Sequence, residues 1–466
     1  MGTTANPRLV FAIVSTGIVL ATLDQFMVNI AFPSIQHNLH GSVSTLSWVL
    51  NGYSIVFAAL LVPAGRLADR SGRKRAFLLG VLVFTAASAL CAAASSVGLL
   101  VAARALQGVG AAVMIPSSLG LLLSAYPPER RAGAVRAWAA VTGASAALGP
   151  VVGGLLVEAS WRWVFIVNVP IGIGALLVGQ RFLPSPAPER GPLPDLLGAA
   201  WLAGGIGALS LALVKGQDWG WDKGRVVGAL TLAAVFGVAF VIRSRSHESP
   251  VVELSLLRVR RFALATGAML VYSAAFAAML LSTIVWSQTA WGWTPLRTGL
   301  LFAPGPLMVP LFAFLGGRAS ARIGAGTTAA LGCVSFALGV LSWVDRISLA
   351  PHWATAMLPG SLLVGIGVGL TLPTLVAAAS TSLPPDRFAT GSGVITMARQ
   401  VGFTLGVAVL VAVIGSPGTG TARLHAFRLG WIVAAAAALA AAPLALLLVS
   451  PRRRAAQVVE EVVETA

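Results

Sequence analysis

Residues 63–75 read Pro-Ala-Gly-Arg-Leu-Ala-Asp-Arg-Ser-Gly-Arg-Lys-Arg and separate two apolar runs, Leu46–Ala64 and Ala76–Ala94. So short a connection predicts two antiparallel neighbouring helices, each long enough to cross a hydrocarbon core about 30 Å thick. Five residues of this stretch are basic. Because Lys and Arg concentrate in the cytoplasmic loops of membrane proteins, the sequence predicts that this connection faces the cytoplasm.

The composition indicates an integral membrane protein. Hydrophobic residues make up 57% of the chain and charged residues 10%, whereas soluble domains carry about 25% charged residues. The mean hydropathy is +0.86. Apolar runs of roughly 20 residues, each sufficient for a spanning helix, occur fourteen times, near residues 9–32, 45–64, 76–95, 98–122, 134–157, 163–182, 194–214, 225–242, 262–288, 297–316, 325–343, 353–379, 388–414 and 428–449.

The net charge of +17 has a distribution that argues against nucleic-acid binding. Most basic residues fall in segments predicted to be cytoplasmic, including residues 130–136, 258–261 and 452–454. This asymmetry sets orientation and adds affinity for anionic lipid. We therefore expect the lipid bilayer as a partner, no nucleic acid, and both termini in the cytoplasm.

Patterns typical of enzymes and metalloproteins are missing from the sequence. The five histidines are scattered among predicted loops, and Cys91 and Cys333 lie in different apolar spans. No Ser-His-Asp arrangement and no phosphate-binding glycine loop occurs. The sequence therefore predicts neither an enzyme nor a cofactor or metal site.

An internal repeat divides the chain into two halves. Gly110 and Pro116 recur 257 residues later as Gly367 and Pro373, and the 65–72 pattern recurs in degraded form at 317–324. The offset exceeds the length of six short-looped spans, so two additional helices lie between the halves. We expect an N-terminal six-helix bundle, an inserted helical pair, a C-terminal six-helix bundle and a cytoplasmic tail, at residues 1–185, 186–250, 251–450 and 451–466.

Several motifs together resemble one transporter family. They are Gly65-x-Leu67-Ala68-Asp69-Arg70-x-Gly72-Arg73-Lys74, Leu23-Asp24-x4-Asn29-Ile30-Ala31-x-Pro33, Arg104-Ala105-Leu106-Gln107-Gly108-x-Gly110-Ala111-Ala112, Gly149-Pro150-Val151-Val152-Gly153-Gly154 and Trp161-Arg162-Trp163-x-Phe165-x-x-Asn168-x-Pro170-x-Gly172. In this order, over nearly the whole chain, the sequence resembles the fourteen-span drug/proton antiporters of the major facilitator superfamily.

The resemblance implies a fold and a function. The fold is all-α, with two six-helix bundles plus an inserted pair. The function is the export of small amphipathic or lipophilic compounds, such as drugs, antibiotics and dyes, in exchange for protons across the bacterial cytoplasmic membrane. A small-molecule substrate and protons are then the partners, no cofactor is needed, and we expect a monomer.

Asp24 is the first candidate for proton coupling. A charged carboxylate inside a span costs roughly 2.5–3.5 kcal/mol on insertion scales, so it should face a cavity or a partner. A structural carboxylate bonded to neighbouring helices is the alternative. Arg104 stays charged at physiological pH, and the resemblance supports a part for it in coupling, besides a purely structural one.

The remaining polar and aromatic residues of the spans are weaker candidates for a substrate cavity. Arg399 is notable because no acid lies within any predicted span of the C-terminal half; it would contact a polar or anionic substrate, or bond across the bundle interface. For the others, packing or interfacial roles compete. The full set is Asn29, Asn51, Tyr53, Gln107, Trp138, Trp286, Gln288, Arg399 and Gln400.

The resemblance also implies gating and sealing roles. Asp69 would accept hydrogen bonds from the N-terminus of a C-terminal-bundle helix, and Arg73 would pair with Glu129, so that the loop latches the outward-open state. The gating residues are Gly65, Asp69, Arg70, Gly72, Arg73 and Glu129. The antiporter helix carries Gly149, Pro150, Gly153 and Gly154, small or helix-bending residues that permit close helix approach.

Two rival functions remain at this point. Uptake by proton symport or facilitated diffusion is the first, and Gly149–Gly154 argues against it. The second is a sensor or lipid-handling protein without proton coupling, which fourteen-span relatives that move lipids make credible.

Overall fold

The computed structural model describes residues 6–185, 187–188, 191–384, 387–415 and 418–448, without the side chains of Ala132, Phe388 and Ala389. Within these residues, fourteen helical units are long and apolar enough to cross a membrane. The predicted all-α membrane fold is confirmed, while the side on which the termini lie stays a prediction. The expected tail at 451–466 lies outside the described residues.

The described part of the chain contains eighteen α-helices, and four of the spans are interrupted. The first half contains α1 (Pro7–Leu39), α2 (Val43–Leu46), α3 (Trp48–Ser71), α4 (Arg73–Ala93), α5 (Val97–Ala125), α6 (Pro128–Ala159), α7 (Trp163–Ile166) and α8 (Asn168–Phe182). The inserted pair is α9 (Leu196–Trp219) and α10 (Gly224–Ser246). The second half contains α11 (Leu254–Arg258), α12 (Arg260–Thr289), α13 (Pro295–Phe302), α14 (Pro304–Ile323), α15 (Ala325–Arg346), a π-helical turn (Trp353–Met357), α16 (Leu358–Ser380), α17 (Phe388–Ile414) and α18 (Gly420–Leu446).

Helix ends extend beyond several predicted spans. The helix α6 begins at Pro128, six residues before the predicted boundary, and α18 begins at Gly420 rather than near residue 428. Hydropathy detects the part of a helix that lies in hydrocarbon, but the helix continues into water as long as no residue breaks it. Proline suits the first turn of α6, where its missing N–H group has no partner to lose. The same extension brings Asp345 into the last turn of α15, where it is exposed.

The two halves repeat the same close helix contact. A Cβ atom at Gly110 of α5 would lie 2.5 Å from the backbone nitrogen of Phe84 in α4, and one at Gly367 of α16 would lie 2.7 Å from that of Phe336 in α15. Both glycines therefore let the backbones of paired helices approach closely. The sequence repeat thus reflects a repeat in packing.

The inserted pair packs beside the two bundles. The helix α9 contacts α3 of the first bundle, α17 of the second, and its own partner α10. Asp195 caps α9 by accepting from the Gly198 nitrogen at 2.8 Å, and it also accepts from Arg243 Nε of α10 at 3.0 Å. These contacts hold the hairpin together and place α9 along the seam between the bundles.

The seam between α6 and the helices α13 and α14 is closed along only part of its length. A Cβ atom at Gly154 would lie 2.6 Å from the Pro295 carbonyl oxygen, whereas one at Gly143 would meet no atom within 4 Å. The contact therefore lies in the half of α6 that is predicted to be near the outer surface. At Gly143, towards the predicted cytoplasmic side, α6 makes no such close contact.

Candidate transport site

Asp24 is the centre of a buried polar cluster in the first bundle. It lies mid-way along α1 and is fully buried. Its Oδ1 atom accepts hydrogen bonds from Gln107 Nε2 at 2.9 Å and from Asn168 Nδ2 at 3.0 Å, while its Oδ2 atom accepts from Arg104 Nη1. Both carboxylate oxygens are therefore occupied by donors from other helices.

The local fold explains why these donors converge. Arg104 and Gln107 stand three residues apart on α5, so their side chains leave the same face of the helix. Asn168 is the first residue of α8, directly after the break that separates α7 from α8. Ser88 of α4 completes the cluster by accepting from Gln107 Nε2 at 2.8 Å. The cluster thus joins α1, α4, α5 and α8.

Arg104 also links the cluster to α3. Its Nε atom donates to the Val49 carbonyl oxygen at 3.1 Å, and its guanidinium carbon lies 4.3 Å from the centre of the Tyr53 ring. A second hydrogen bond joins Arg104 Nη1 to Gln107 Oε1 at 2.5 Å. The side chain of Arg104 is 1% exposed, so its charge is balanced by Asp24 rather than by bulk water.

Protonation of Asp24 would change this cluster directly. An ionised carboxylate only accepts hydrogen bonds, whereas the neutral acid also donates one. The proton would remove the charge that holds Arg104, and charge-assisted hydrogen bonds are roughly twice as strong as neutral ones. The arrangement can therefore convert the gain of a proton into altered packing among the helices of the first bundle.

A small cavity lies beside this cluster, between the two bundles. Its volume is about 10 Å³, close to the minimum that one water molecule needs. Pockets that bind drug-sized ligands measure about 300–1,000 Å³, so the bundles must separate further before such a compound fits at this level. The cavity is lined by Gln25, Asn29, Leu50, Asn51, Tyr53, Ser54, Arg104, Ala277, Phe403 and Val407.

Two cavity-side groups lack hydrogen-bond partners. Among the described residues, no partner is found for either amide atom of Asn51 or for the hydroxyl of Tyr53, although both side chains are buried. Asn29 differs, because its Nδ2 atom donates to the Gln25 carbonyl oxygen at 2.8 Å. A buried polar group without a partner is costly, which marks Asn51 and Tyr53 as groups available to water or a ligand.

The second bundle contributes Arg399 and Gln400 from α17. Gln400 Oε1 lies 3.5 Å from Gln25 Nε2 of α1, across the seam. Arg399 lies one turn before Phe403 and two turns before Val407, both of which line the cavity. Among the described residues, its buried Nε atom has no hydrogen-bond partner. Arg104 of the first bundle donates hydrogen bonds to several partners, whereas Arg399 Nε donates none.

Of the predicted cavity residues, only Asn29, Asn51 and Tyr53 line this cavity. Three of the others lie away from both the cavity and the Asp24 cluster. Trp286 is buried inside the second bundle, with its ring centre 5.8 Å from that of Trp431. Gln288 donates to the Ile30 carbonyl oxygen at 3.0 Å and so bridges α12 and α1. Trp138 of α6 packs at the edge of the first-bundle core. These positions favour packing and interface contacts over lining of the cavity described above.

The predicted gating connection is mostly helical. Because α3 and α4 continue past the apolar runs, only Gly72 separates the two helices. Its φ of 101° lies in the region that favours glycine. Asp69 Oδ1 accepts from Arg73 Nε at 2.7 Å, within its own bundle. Arg70 Nη1 donates to the Gly191 carbonyl oxygen at 2.6 Å. Glu129 lies in the first turn of α6.

The helix α6, predicted to be the antiporter helix, contacts both bundles through its small residues. A Cβ atom at Gly149 would lie 2.5 Å from Phe26 Cβ, and one at Gly153 would lie 2.9 Å from Met27 Cα, both in α1. On the other side, the Pro150 carbonyl oxygen approaches Gly299 of α13 so closely that a Cβ atom there would clash. Larger side chains at these positions would push the helices apart.

Sequence reasoning overlooked several of the contacts seen here. Asn168 belongs to the motif at residues 161–172, but the sequence did not identify it as a residue of the site. Arg66 forms an ion pair of 2.8 Å with Glu253, in the segment that precedes α11. Glu158 Oε1 of α6 accepts from the Leu296 nitrogen at 3.1 Å, in the first turn of α13. An acid of the first bundle thus does meet a helix N-terminus of the second, but at the opposite end of the molecule from Asp69.

The fold and the motifs agree with a comparison of the sequence against known families. The profile of the Major Facilitator Superfamily matches residues 14–407, with a further match over 264–464. The chain belongs to the Major Facilitator Superfamily. It is therefore a transporter and not an enzyme, as predicted.

Curated relatives within this superfamily are named for antibiotic export and resistance. The probable actinorhodin transporter of Streptomyces coelicolor is 36% identical over 428 residues, covering 88% of this chain and 73% of that protein. The multidrug resistance protein Stp of Mycobacterium tuberculosis is 34% identical over 415 residues, covering 88% and 76%. The methylenomycin A resistance protein of Streptomyces coelicolor is 34% identical over 407 residues, covering 86% and 84%.

Solved structures show the same fold at low sequence identity. The POT family transporter PepTSo superposes with a TM-score of 0.69 at 17% identity, covering 95% of this chain and 98% of its own. A bacterial homologue of the human lysosomal transporter Spinster, solved inward-facing and unoccupied, gives 0.68 at 14% identity, covering 96% and 98%. At such identities the likeness concerns the fold alone.

Proposed function

We propose that this major facilitator protein exports small amphipathic compounds from the bacterial cytoplasm in exchange for protons. The observation that carries the proposal is the saturated carboxylate of Asp24 directly beside a cavity between the bundles. The names of the relatives, which refer to antibiotic export and resistance, favour export over uptake.

Proton coupling follows from the chemistry of the cluster. Arg104 is both the ion-pair partner of Asp24 and a wall of the cavity. A proton on Asp24 releases the guanidinium and changes the packing of the helices around the cavity, whereas the compound binds the arrangement in which Asp24 is ionised and holds Arg104. Proton and compound therefore favour different arrangements of the same helices, and each disfavours the state that the other stabilises. That competition is the requirement for exchange.

Alternating access requires that the outer and the cytoplasmic ends of the bundle interface close in turn. The helices α6 and α13 meet in the predicted outer half, where Gly154 and Gly299 make the contact tight. Rocking of one bundle against the other around a central site exposes that site to the two sides in turn. In the outward-open state, Asp69 and its neighbours would close the cytoplasmic half.

The test uses everted vesicles from cells expressing the protein, with a dye that reports the pH gradient. Addition of an exported compound should dissipate part of the gradient in vesicles with the wild-type protein and not in vesicles with Asp24→Asn. Vesicles from cells with empty vector provide the background. Accumulation of the compound that is independent of the gradient, in both proteins, would contradict proton exchange.

A further inference from the structure

The second-bundle arginine has no role in the proton-coupling cluster. Arg399 lies on α17, and its Nε atom is buried without a partner among the described residues. An arginine inside a span is costly unless it meets water, a partner charge or a ligand. No acid occurs along the sequence of α17, so the charge of Arg399 is available to whatever occupies the space between the bundles.

The helical register places Arg399 on the wall of the transport path. Phe403 and Val407 line the cavity, and residues four and eight positions apart on a helix share a face. Arg399 therefore continues this wall by one turn, towards the predicted cytoplasmic side.

The free hydrogen-bonding groups around this space are mainly donors. Among the buried atoms of the described residues that have no hydrogen-bond partner are Tyr53 Oη and both amide atoms of Asn51, which line the cavity, and Arg399 Nε and Gln400 Nε2 on α17. The carboxylate of Asp24 lies behind Arg104, which lines this space, and both of its oxygens are occupied by donors. A cation would have to displace Arg104 from Asp24 before it found a carboxylate, whereas an oxygen acceptor finds donors already unoccupied.

We propose that Arg399 determines the charge of the cargo, so that the transporter takes compounds carrying an anionic group or clustered acceptor oxygens in preference to cations. This inference rests on the proposed export function, because it names the substrate class of the same site. The guanidinium would bind the carboxylate, sulfonate or phenolate of the cargo by charge-assisted hydrogen bonds, while Tyr53 and Phe403 contact its apolar body.

The experiment compares two dyes that share a xanthene scaffold, fluorescein as the anion and rhodamine 123 as the cation. Binding to purified protein in phosphatidylcholine nanodiscs is measured by fluorescence anisotropy without a pH gradient. Wild-type protein should bind fluorescein more tightly. Arg399→Gln should weaken fluorescein binding about tenfold, the equivalent of about one charge-assisted hydrogen bond, and should leave rhodamine 123 binding unchanged or stronger.

Further variants keep the result interpretable. Arg399→Lys retains the charge and should keep most of the preference, and Arg399→Glu should reverse it. Arg322→Gln removes one positive charge at the end of α14 and serves as the matched control without effect. Equal weakening of both dyes by Arg399→Gln, or no change in either, would overturn the inference.

Two more arms separate the remaining explanations. An anionic lipid headgroup offers the same chemistry as an anionic cargo. If phosphatidylglycerol in the nanodiscs abolishes fluorescein binding to wild-type protein, the assignment to a soluble cargo is overturned. The proposed proton exchange is tested independently, because Asp24→Asn should lose pH-driven transport in vesicles while retaining the preference for fluorescein in nanodiscs.

Discussion

The two membrane arginines of this transporter occupy opposite environments. Arg104 in the first bundle is bound to Asp24, Gln107 and a backbone carbonyl, with its charge fully compensated. Arg399 in the second bundle has a buried Nε atom without a partner among the described residues. An arginine therefore joins several helices in the first bundle, whereas the arginine of the second bundle has no ion-pair partner among the described residues. This difference suggests that the first bundle handles the proton and the second selects the cargo.

The largest expected effect is a difference in protein stability between the variants Arg104→Gln and Arg399→Gln. Arg104→Gln leaves Asp24 as an uncompensated buried charge, and breaking a buried pair in this way costs about 3–5 kcal/mol. Arg399→Gln removes an uncompensated charge and should be neutral or stabilising. Thermal unfolding of the purified variants, followed by size-exclusion chromatography, measures the difference. Equal loss of stability in both variants would break the comparison.

A double variant sharpens that test. Asp24→Asn combined with Arg104→Gln removes both charges of the pair, so no buried charge of this pair remains without a partner. We expect the double variant to recover most of the stability that Arg104→Gln loses. It should nevertheless show no proton-coupled export, since the carboxylate proposed to bind the proton is gone. Recovery of coupled transport in this variant would place the proton site elsewhere.

Asn168 should contribute less than Arg104 to the stability of the Asp24 cluster. Asn168→Ala removes the donor 3.0 Å from Asp24 Oδ1, and a hydrogen bond to a charged group contributes about 1.5–3 kcal/mol. Stability and transport rate should both fall, with less effect than Arg104→Gln. Gln288→Ala is the control, because it removes an amide that bonds a backbone carbonyl at the seam, outside the cluster. An Asn168→Ala protein as stable and active as wild type would exclude this contact from the cluster.

The outer seal should show a still smaller effect. Glu158 accepts from the first turn of α13, and a charge at a helix N-terminus contributes about 0.3–1 kcal/mol. Glu158→Gln should therefore change the ratio of outer-closed to outer-open forms by a few fold. Distances between spin labels on the outer ends of α6 and α13 report this ratio. Asp69→Asn is the matched control at the other end, and it should favour outer-closed forms, because its predicted latch acts in the outward-open state.

The smallest effect is expected in the inserted pair. The helix α10 contacts α9 and contributes no residue to the described cavity, so cysteines along its length should not be protected from thiol reagents by a transported dye. Cysteine at Phe403, which lines the cavity, provides the positive control. Protection at several positions of α10 would bring the pair into the transport path and weaken the division of labour between the bundles.

The sequence predicted the spans well and the partners of individual side chains poorly. Hydropathy over about 20 residues reports membrane insertion, so all fourteen helical units were predicted, although α6 and α18 begin earlier than expected. Motif resemblance pointed to Asp24 and Arg104, which the structure brings into contact. It did not reveal that Glu158, rather than Asp69, meets a helix N-terminus here, because that contact depends on which end of the seam is closed.

Aromatic residues illustrate the same limit. Tyr53 and Trp286 were equal candidates from the sequence, yet Tyr53 lines the cavity and Trp286 packs beside Trp431 inside the second bundle. Both lie in apolar spans, where the sequence pattern does not distinguish the helix face that packs inside a bundle from the face that lines the cavity. The rotation of each helix about its axis is set by its neighbours, and a single sequence does not contain that information.

The most direct test measures two properties in the same two variants: proton dependence of export, and preference for fluorescein over rhodamine 123. We expect Asp24→Asn to lose the proton dependence and to keep the dye preference. We expect Arg399→Gln to lose the dye preference and to keep the proton dependence. Loss of both properties in each variant, with both proteins folded, would contradict the assignment of proton and cargo to separate bundles.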